Sequence, residues 1–483
     1  MPDVLPHSES GIGRRILLLW AALVLVGVLL GILSNHFELV VLPGVLLIGC
    51  LAFLDFRKVF FLMLGLIPFA MEVDLPGGFS TDFPTEFLVI GLMGVYFLYL
   101  LQEYRRLNAQ FLLHPLSLLV LLHLGWILAT TITSQIPWIS LKFFLAKCWY
   151  VVVFFYLAGR MLRSERDIQL FFWVTILPLC LTAVYAIIRH YGEGFSFMAV
   201  NRVVVPFYRN HVNYACLLVL MVPLTFRAFW WYRRWSFRWW VVLGALLILL
   251  VGIQLSFTRA AYVSVFIAAG GYFIIRYRLV KPALLAAFLG AMGGLIYMVH
   301  DNTYLQYAPN FERTITHKRF DRLVEATFEG EDISTMERVY RWVAGWNMVL
   351  DKPLMGFGPG NYPRFYKEYT VTRFRTYVSN NPDNSGIHNY YLMTLIEQGL
   401  LGLLIFLGMC TYVLLKGEGV YRELQDTERK RSLMAFLLSG LIIFSLLLIN
   451  DLMETIKVGP YLFLSMAVLV NMDLFTQGKL PPE

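Results

Sequence analysis

The chain has 483 residues, of which 58% are apolar, 16% aromatic and only 15% charged. That leaves too little polar surface for a soluble globular protein of this length, so the composition excludes a soluble enzyme and points to a polytopic membrane protein. The formal net charge of +8 then reads as a signal that orients the chain in a membrane, not as a nucleic-acid footprint.

Apolar stretches near the roughly 20 residues of a bilayer crossing recur along most of the chain. The first runs from Ile16 to Leu33 behind Arg14 and Arg15. It is long and no small-residue cleavage site follows, so it reads as a retained span, not a signal peptide. Further spans are predicted near 38–54, 58–71, 86–101, 112–132, 143–162 and 168–190, then near 213–231, 238–256, 260–277, 281–299, 388–416, 430–450 and 456–474. The fold predicted is all-α with about 12–14 transmembrane helices. Residues 1–299 carry transmembrane helices 1–11, residues 300–387 form one large outer loop with short helices, and residues 388–483 hold the C-terminal transmembrane helices.

Positive charge in short loops favours the cytoplasmic side. Alternate connections carry Arg57 and Lys58, Arg105 and Arg106, Arg163 and Arg166, Arg233 with Arg234 and Arg238, Arg276 with Arg278 and Lys281, and Arg429 with Lys430 and Arg431. The other set, beginning with SNHFE, EVDLPGGFSTDFPTE and TSQIPWISLK, is poor in Lys and Arg. The expected arrangement has both termini in the cytoplasm and residues 300–387 outside. Cys50, Cys148, Cys180, Cys216 and Cys410 all sit in apolar runs, so structural disulfides are not expected. There is no zinc-ligand spacing, no phosphate-cradling glycine loop on the cytoplasmic side and no internal repeat.

Against this rule, the outer connection RHYGEGFSFMAVNRVVVPFYRNH holds Arg189, Arg202 and Arg209, and the short outer turn SFTRAAY places Arg259 at the mouth of a span. Each alone is explained by snorkelling to lipid headgroups. Together they suit an anionic lipid-linked group, because the guanidinium fork matches a phosphate. In the outer loop, Ser334 and Glu337 fit a capping box, which predicts a helix carrying Arg338, Arg341, Trp342 and Trp346 on one or two adjoining faces. The same pattern also fits an amphipathic helix lying on the bilayer. Gly356, Gly358 and Gly360 read as a tight turn. His388, in SGIHNYYLMTLIEQGLLG, is expected in the first turn of a span at the outer interface, where the helix dipole favours a neutral imidazole. A neutral ring can take a proton from a hydroxyl; the plainer role is a hydrogen-bonded structural histidine.

HNYYLMTLIEQGLLG resembles the His-Asn-x-x-Leu segment followed by Glu-x-Gly-x-x-Gly of the bacterial O-antigen ligase and polymerase superfamily. ERVYRWVAGWNMVLDKPLMGFGPGNY is similar to the Arg, Trp and Pro-x-x-Gly-x-Gly pattern of the same family, and SFTRAA and TSQIPWISLK extend the resemblance over most of the chain from about residue 130. The resemblance implies a GT-C-like integral membrane glycosyltransferase of the bacterial inner membrane. It would take a glycan from a polyprenyl diphosphate carrier at the periplasmic face and pass it to a lipid A core or a growing glycan, with no cofactor and no metal. Carried over by position, His388 is the catalytic base, and Arg202 and Arg259 contact the diphosphate. Arg338 aligns with the loop arginine of the family, and Arg209, Lys142 and Asn389 are further candidates, Asn389 in a supporting position. An inverting displacement needs a base for the acceptor hydroxyl and cations for the leaving diphosphate. The sequence shows no Asp-x-Asp pair in an outer loop. Ligase is the favoured reading, with repeat-unit polymerase next, for which Arg319 and Gly330 meet an Arg-x10-Gly spacing. A lipid-linked glycan flippase is the non-enzymatic alternative; against it, the sequence has few deep intramembrane charges and no repeat, and its polar residues concentrate at one face.

Overall fold

Proline and small polar residues set many helix boundaries in this protein. Pro115 and Pro137 each open a long apolar helix, and His114 caps the first by accepting the Leu116 N–H at 3.1 Å. Ser164 opens another through a reciprocal capping box with Asp167. The computed structural model describes residues 55–75, 79–102, 109–301, 303, 333–375, 379 and 386–480. Predicted spans at 16–33 and 38–54 lie outside the described residues, as does the Arg319 and Gly330 spacing.

Helix α1 occupies residues 55–66. It is followed by α2 (Thr85–Gln102), α3 (Pro115–Ile132), α4 (Pro137–Met161), α5 (Glu165–Gly192), the short α6 (Val200–Val204), α7 (His211–Ala228) and α8 (Phe237–Leu255). Then come α9 (Arg259–Arg276), α10 (Val280–Val299), α11 (Ile333–Asp351), α12 (Tyr390–Glu423), α13 (Thr427–Leu446) and α14 (Gly459–Thr476). Among the described residues, nine helices are long and apolar enough to cross a membrane. The all-α polytopic fold expected from the sequence is what the structure contains.

The run predicted as a span at 58–71 ends differently. A 3₁₀ turn, Ile67–Phe69, follows α1, and the chain then enters an antiparallel hairpin of β1 (Met71–Leu75) and β2 (Phe79–Phe83), with Val73 opposite Thr81. Pro68 cannot continue the helical ladder. The carbonyls this leaves open are taken by the buried Lys457 ammonium, 2.6 Å from Ile67 O, 3.2 Å from Pro68 O and 2.9 Å from Ala70 O. Burial lowers the Lys457 pKa to about 7, against the pull of Asp82.

Helices α7 and α14 form the centre and are buried along most of their length, with α13 packed on both. Polar groups inside α14 are paired: Asn471 donates to Gly159 O at 2.9 Å and Leu162 O at 2.8 Å, and Asp473 meets His114 Nε2 and Lys416 Nζ, each at 2.9 Å. The described connections gather at two ends of the bundle. At one end Arg57 pairs with Asp167, Arg227 with Glu165 and Glu428, and Arg429 donates to Arg163 O. At the other lie the hairpin, the Ser134 turn, the glycine turn and His388.

Candidate active site

The glycine turn and the start of α12 form one unit. Gly399 has φ +69° and ψ −174°, so the helix is broken inside Tyr390–Glu423, and the carbonyls before the break lose their helical donors. The loop supplies replacements. Phe357 N–H donates to Ile396 O and Gly358 N–H to Glu397 O, each at 2.9 Å, and Leu400 N–H turns outward to Pro353 O at 2.9 Å. Trp126 Nε1 donates to Gln398 O at 2.9 Å. Gly356, Gly358 and Gly360 all have positive φ, as the sequence predicted for a tight turn. A Cβ at Gly358 would run into the Ser134 side chain. Ser140 Oγ donates to Pro359 O at 2.8 Å, and Asn361 Nδ2 to Ser134 Oγ at 2.7 Å. The stretches TSQIPWISLK, PLMGFGPGNY and EQGLLG therefore interlock.

Immediately before α12, the segment Gly386–Asn389 is clamped on two sides. From the outer loop, Arg341 Nη1 donates to Gly386 O at 2.8 Å and Trp342 Nε1 to Ile387 O at 3.1 Å. From the bundle, Leu447 O accepts the Tyr390 N–H at 2.9 Å. Helix α11 thus does more than lie on a bilayer: it buries Tyr340, Ala344 and Met348, and Gly345 lets it close on Ile387 and Ile396. Glu337, expected to serve in a capping box with Ser334, accepts from Ser379 Oγ at 2.6 Å and faces Arg341 at 3.7 Å. The Ser334 side chain lies outside the described residues.

His388 does not occupy the first turn of the helix. Asn389 is the N-cap, its Oδ1 accepting the Leu392 N–H at 2.9 Å, which gives this candidate a structural task. His388 precedes the cap with φ +58°, a left-handed conformation costing an L-residue roughly 1–2 kcal/mol. Its ring faces Asp451, Nδ1 to Oδ1 3.7 Å. That is a charge contact longer than a hydrogen bond, and it leaves Nε2 as the other ring nitrogen. The His388 pKa is lowered to about 4, chiefly by burial; Asp451 acts to raise it, while Arg338 and Arg341 lower it further. Burial and two loop arginines, in place of the helix dipole, favour the neutral form of the ring.

Asp451 and its neighbours were not singled out in the sequence. Asp451 approaches so closely that a Cβ at Gly386 would strike its carboxylate. Three residues on, Glu454 Oε1 accepts from Tyr390 OH at 2.8 Å and from Lys147 Nζ at 2.7 Å. Lys147 is 1% exposed, whereas the candidate Lys142, on the same helix, is exposed. The detectable signal was a lysine inside an apolar run, together with Asp451, Glu454 and Lys457 in one short loop between spans.

The remaining candidates lie at the same end. Arg259 is the first residue of α9, half-buried. The start of α9 packs against the end of α13 through Ser264 and Ser445, 3.4 Å apart, with Ser445 two residues before the Leu447 whose carbonyl holds Tyr390. Arg202 belongs to α6, whose Asn201 accepts the His211 N–H at 3.1 Å, and Thr258 Oγ1 donates to His211 O at 3.5 Å. These contacts link the elements that carry Arg202, Arg259 and His388. Arg202 is exposed and paired with Glu193 at 2.6 Å, and Arg209 faces Glu72 at 3.7 Å. Arg338, on α11, adds positive potential at the ring of His388.

An imidazole poised against a carboxylate, near several guanidinium groups, can accept a hydroxyl proton beside a polyanion. No curated protein matches the sequence. Residues 244–407 match a family model described as O-antigen ligase, a stretch that includes Arg259, Arg338, the glycine turn and His388. Such proteins are membrane enzymes of ligase or polymerase type that act on lipid-linked glycans and acceptors. Residues 244–407 of the chain are thus similar to the O-antigen ligase family.

Proposed function

We propose that this protein is an inverting, metal-independent glycosyltransferase of GT-C type in the bacterial inner membrane. It moves a glycan from a polyprenyl diphosphate carrier to a hydroxyl on lipid A core, as an O-antigen ligase. Both termini face the cytoplasm, and residues 300–387 and the site face the periplasm. The observation that carries this reading is the strained turn at His388, with Asp451 on its Nδ1 side and arginines from α6, α9 and α11 at the same end. The ligase assignment over polymerase rests on the description of the matched family.

In this mechanism Nε2 of His388 takes the proton of the acceptor hydroxyl as the oxygen attacks the anomeric carbon. Asp451 stabilises the imidazolium that forms, and the C–O bond to the diphosphate breaks with inversion. Arg202, Arg259 and Arg338 neutralise the leaving diphosphate, with Arg209 and Lys142 at the edge of the same field. The anionic donor also raises the proton affinity of His388, offsetting the burial that weakens it as a base. The test uses purified protein with a defined polyprenyl diphosphate donor. His388→Ala is expected to lose on the order of 10²-fold or more in rate while donor binding survives, and His388→Gln, which keeps a hydrogen bond but no base, fails to rescue. A parental rate for His388→Gln at equal protein level and saturating donor would make the histidine structural.

A further inference from the structure

At the end of the bundle opposite His388, the second half of α7, the second half of α9, the end of α12 and the start of α13 surround a cavity of about 800 Å³. That volume lies in the range of small-molecule sites. Its inner wall is apolar, with Val219, Val265 and Ile442, and Ala269 on α9 leaves it open. Its mouth is formed by Phe226, Trp230 and Tyr272, which are 48%, 54% and 39% exposed. On helices of this apolarity such faces meet hydrocarbon.

One end of the cavity is cationic. Arg227, Arg276, Lys430 and Arg431 line it, and no acidic side chain does. Arg227 is compensated by Glu165 at 3.0 Å and Glu428 at 2.9 Å, and Arg431 shares Glu428 at 2.9 Å. The contacts of the other two cations are long and uncharged. Arg276 lies 3.5 Å from the Tyr421 hydroxyl, and Lys430 donates to Leu424 O at 3.4 Å. An apolar shaft open to lipid and closed at its polar end by cations matches an amphiphile with a negatively charged head.

We propose that this cavity binds an anionic phospholipid, with an acyl chain against α7 and α9 and the phosphate held by Arg276, Lys430 and Arg431. The site is separate from the glycan-transfer site, standing at the far end of α12, and the inference does not depend on which reaction that site performs.

The test is native mass spectrometry of the purified full chain titrated with phosphatidylglycerol, phosphatidylethanolamine and inorganic phosphate. Phosphatidylglycerol should bind at least fivefold more tightly than phosphatidylethanolamine, and phosphate alone should neither bind at the same concentration nor compete. Arg276→Gln combined with Lys430→Gln should weaken phosphatidylglycerol roughly 25-fold, about fivefold per cation, and leave phosphatidylethanolamine nearly unchanged. Ala269→Trp keeps every cation and fills the shaft, and should also abolish the phosphatidylglycerol adduct. Equal retention of the two lipids, competition by free phosphate, or phosphatidylglycerol affinity untouched in Ala269→Trp would each overturn the proposal, whether or not the double variant inserts.

Discussion

Gly399→Ala probes the junction on which the candidate site rests. At φ +69° an alanine incurs about 1–2 kcal/mol of backbone strain, and its Cβ would run into the Leu354 carbonyl oxygen. Backbone cannot swing aside as a flexible side chain does, so the Pro353–Gly358 segment must retreat. The bonds Leu400 N–H to Pro353 O, Phe357 N–H to Ile396 O and Gly358 N–H to Glu397 O then lengthen or break. At about 1 kcal/mol each, the total reaches about 4–5 kcal/mol, a large share of a typical folding stability of about 5–15 kcal/mol. Thermal unfolding of purified protein, followed by tryptophan fluorescence, should show a midpoint lowered on the order of 5 °C or more. Glycan transfer should fall with it, because the displaced segment continues directly from α11, whose Arg341 and Trp342 hold the residues before α12. Gly408→Ala in the same helix is the control: nothing lies within 4 Å of its Cβ, so it should be neutral or slightly stabilising. A Gly399→Ala protein with parental midpoint and parental transfer would refute the interlocked turn.

Two further outcomes test the chemistry. Arg202→Lys and Arg259→Lys keep charge but lose the planar fork, so transfer should fall about tenfold or more with normal membrane insertion; full activity in both removes them from the site. Asp451→Asn bears on the acidic limb of kcat/KM, which reports the free enzyme. Asp451 raises the His388 pKa and burial lowers it to about 4, so removing the carboxylate favours the neutral ring. The limb should move to still lower pH while the plateau rate falls; a fallen plateau with an unmoved limb would leave Asp451 a packing role only.

Much of the helical framework was legible because crossing a bilayer demands long apolar runs, and these survive any detail of packing. The boundaries of α5, α8 and α9 follow the apolar runs closely. The hairpin after α1 was not legible: EVDLPGGFSTDFPTE carries turn residues and charge, and among the described residues its strands pair with each other at a polar end. At the candidate site, His388 was visible through its segment, but its conformation was not, since a left-handed residue before an N-cap has no signature in composition. Asp451, Glu454 and Lys147 were missed for a related reason. Each is defined by its partner from a distant part of the chain, Lys147 and Glu454 being 307 residues apart, and a pairing of that range leaves no local pattern.

The break at Gly399 changes what holds the candidate base in place. In an uninterrupted helix, the residues before Tyr390 would inherit their position from the membrane-spanning part of α12 through the i to i−4 ladder. Here that ladder stops, and the first turns are tied to the glycine turn by Phe357 and Gly358, to α3 by Trp126, and to the end of α13 by Leu447. His388 is then fixed from above by Arg341 and Trp342 and approached from the side by Asp451. Its location is therefore set jointly by the outer loop and the C-terminal helices. A loop that moved to admit substrate would carry the proposed base with it, which would couple substrate entry to assembly of the proposed site. This coupling also explains why the two glycine patterns, Pro353 to Gly358 and Glu397 to Gly402, belong to the same resemblance as the histidine although none of these residues carries a group that could do the chemistry, apart from Glu397, whose carboxylate is committed to the Tyr362 N–H at 3.1 Å.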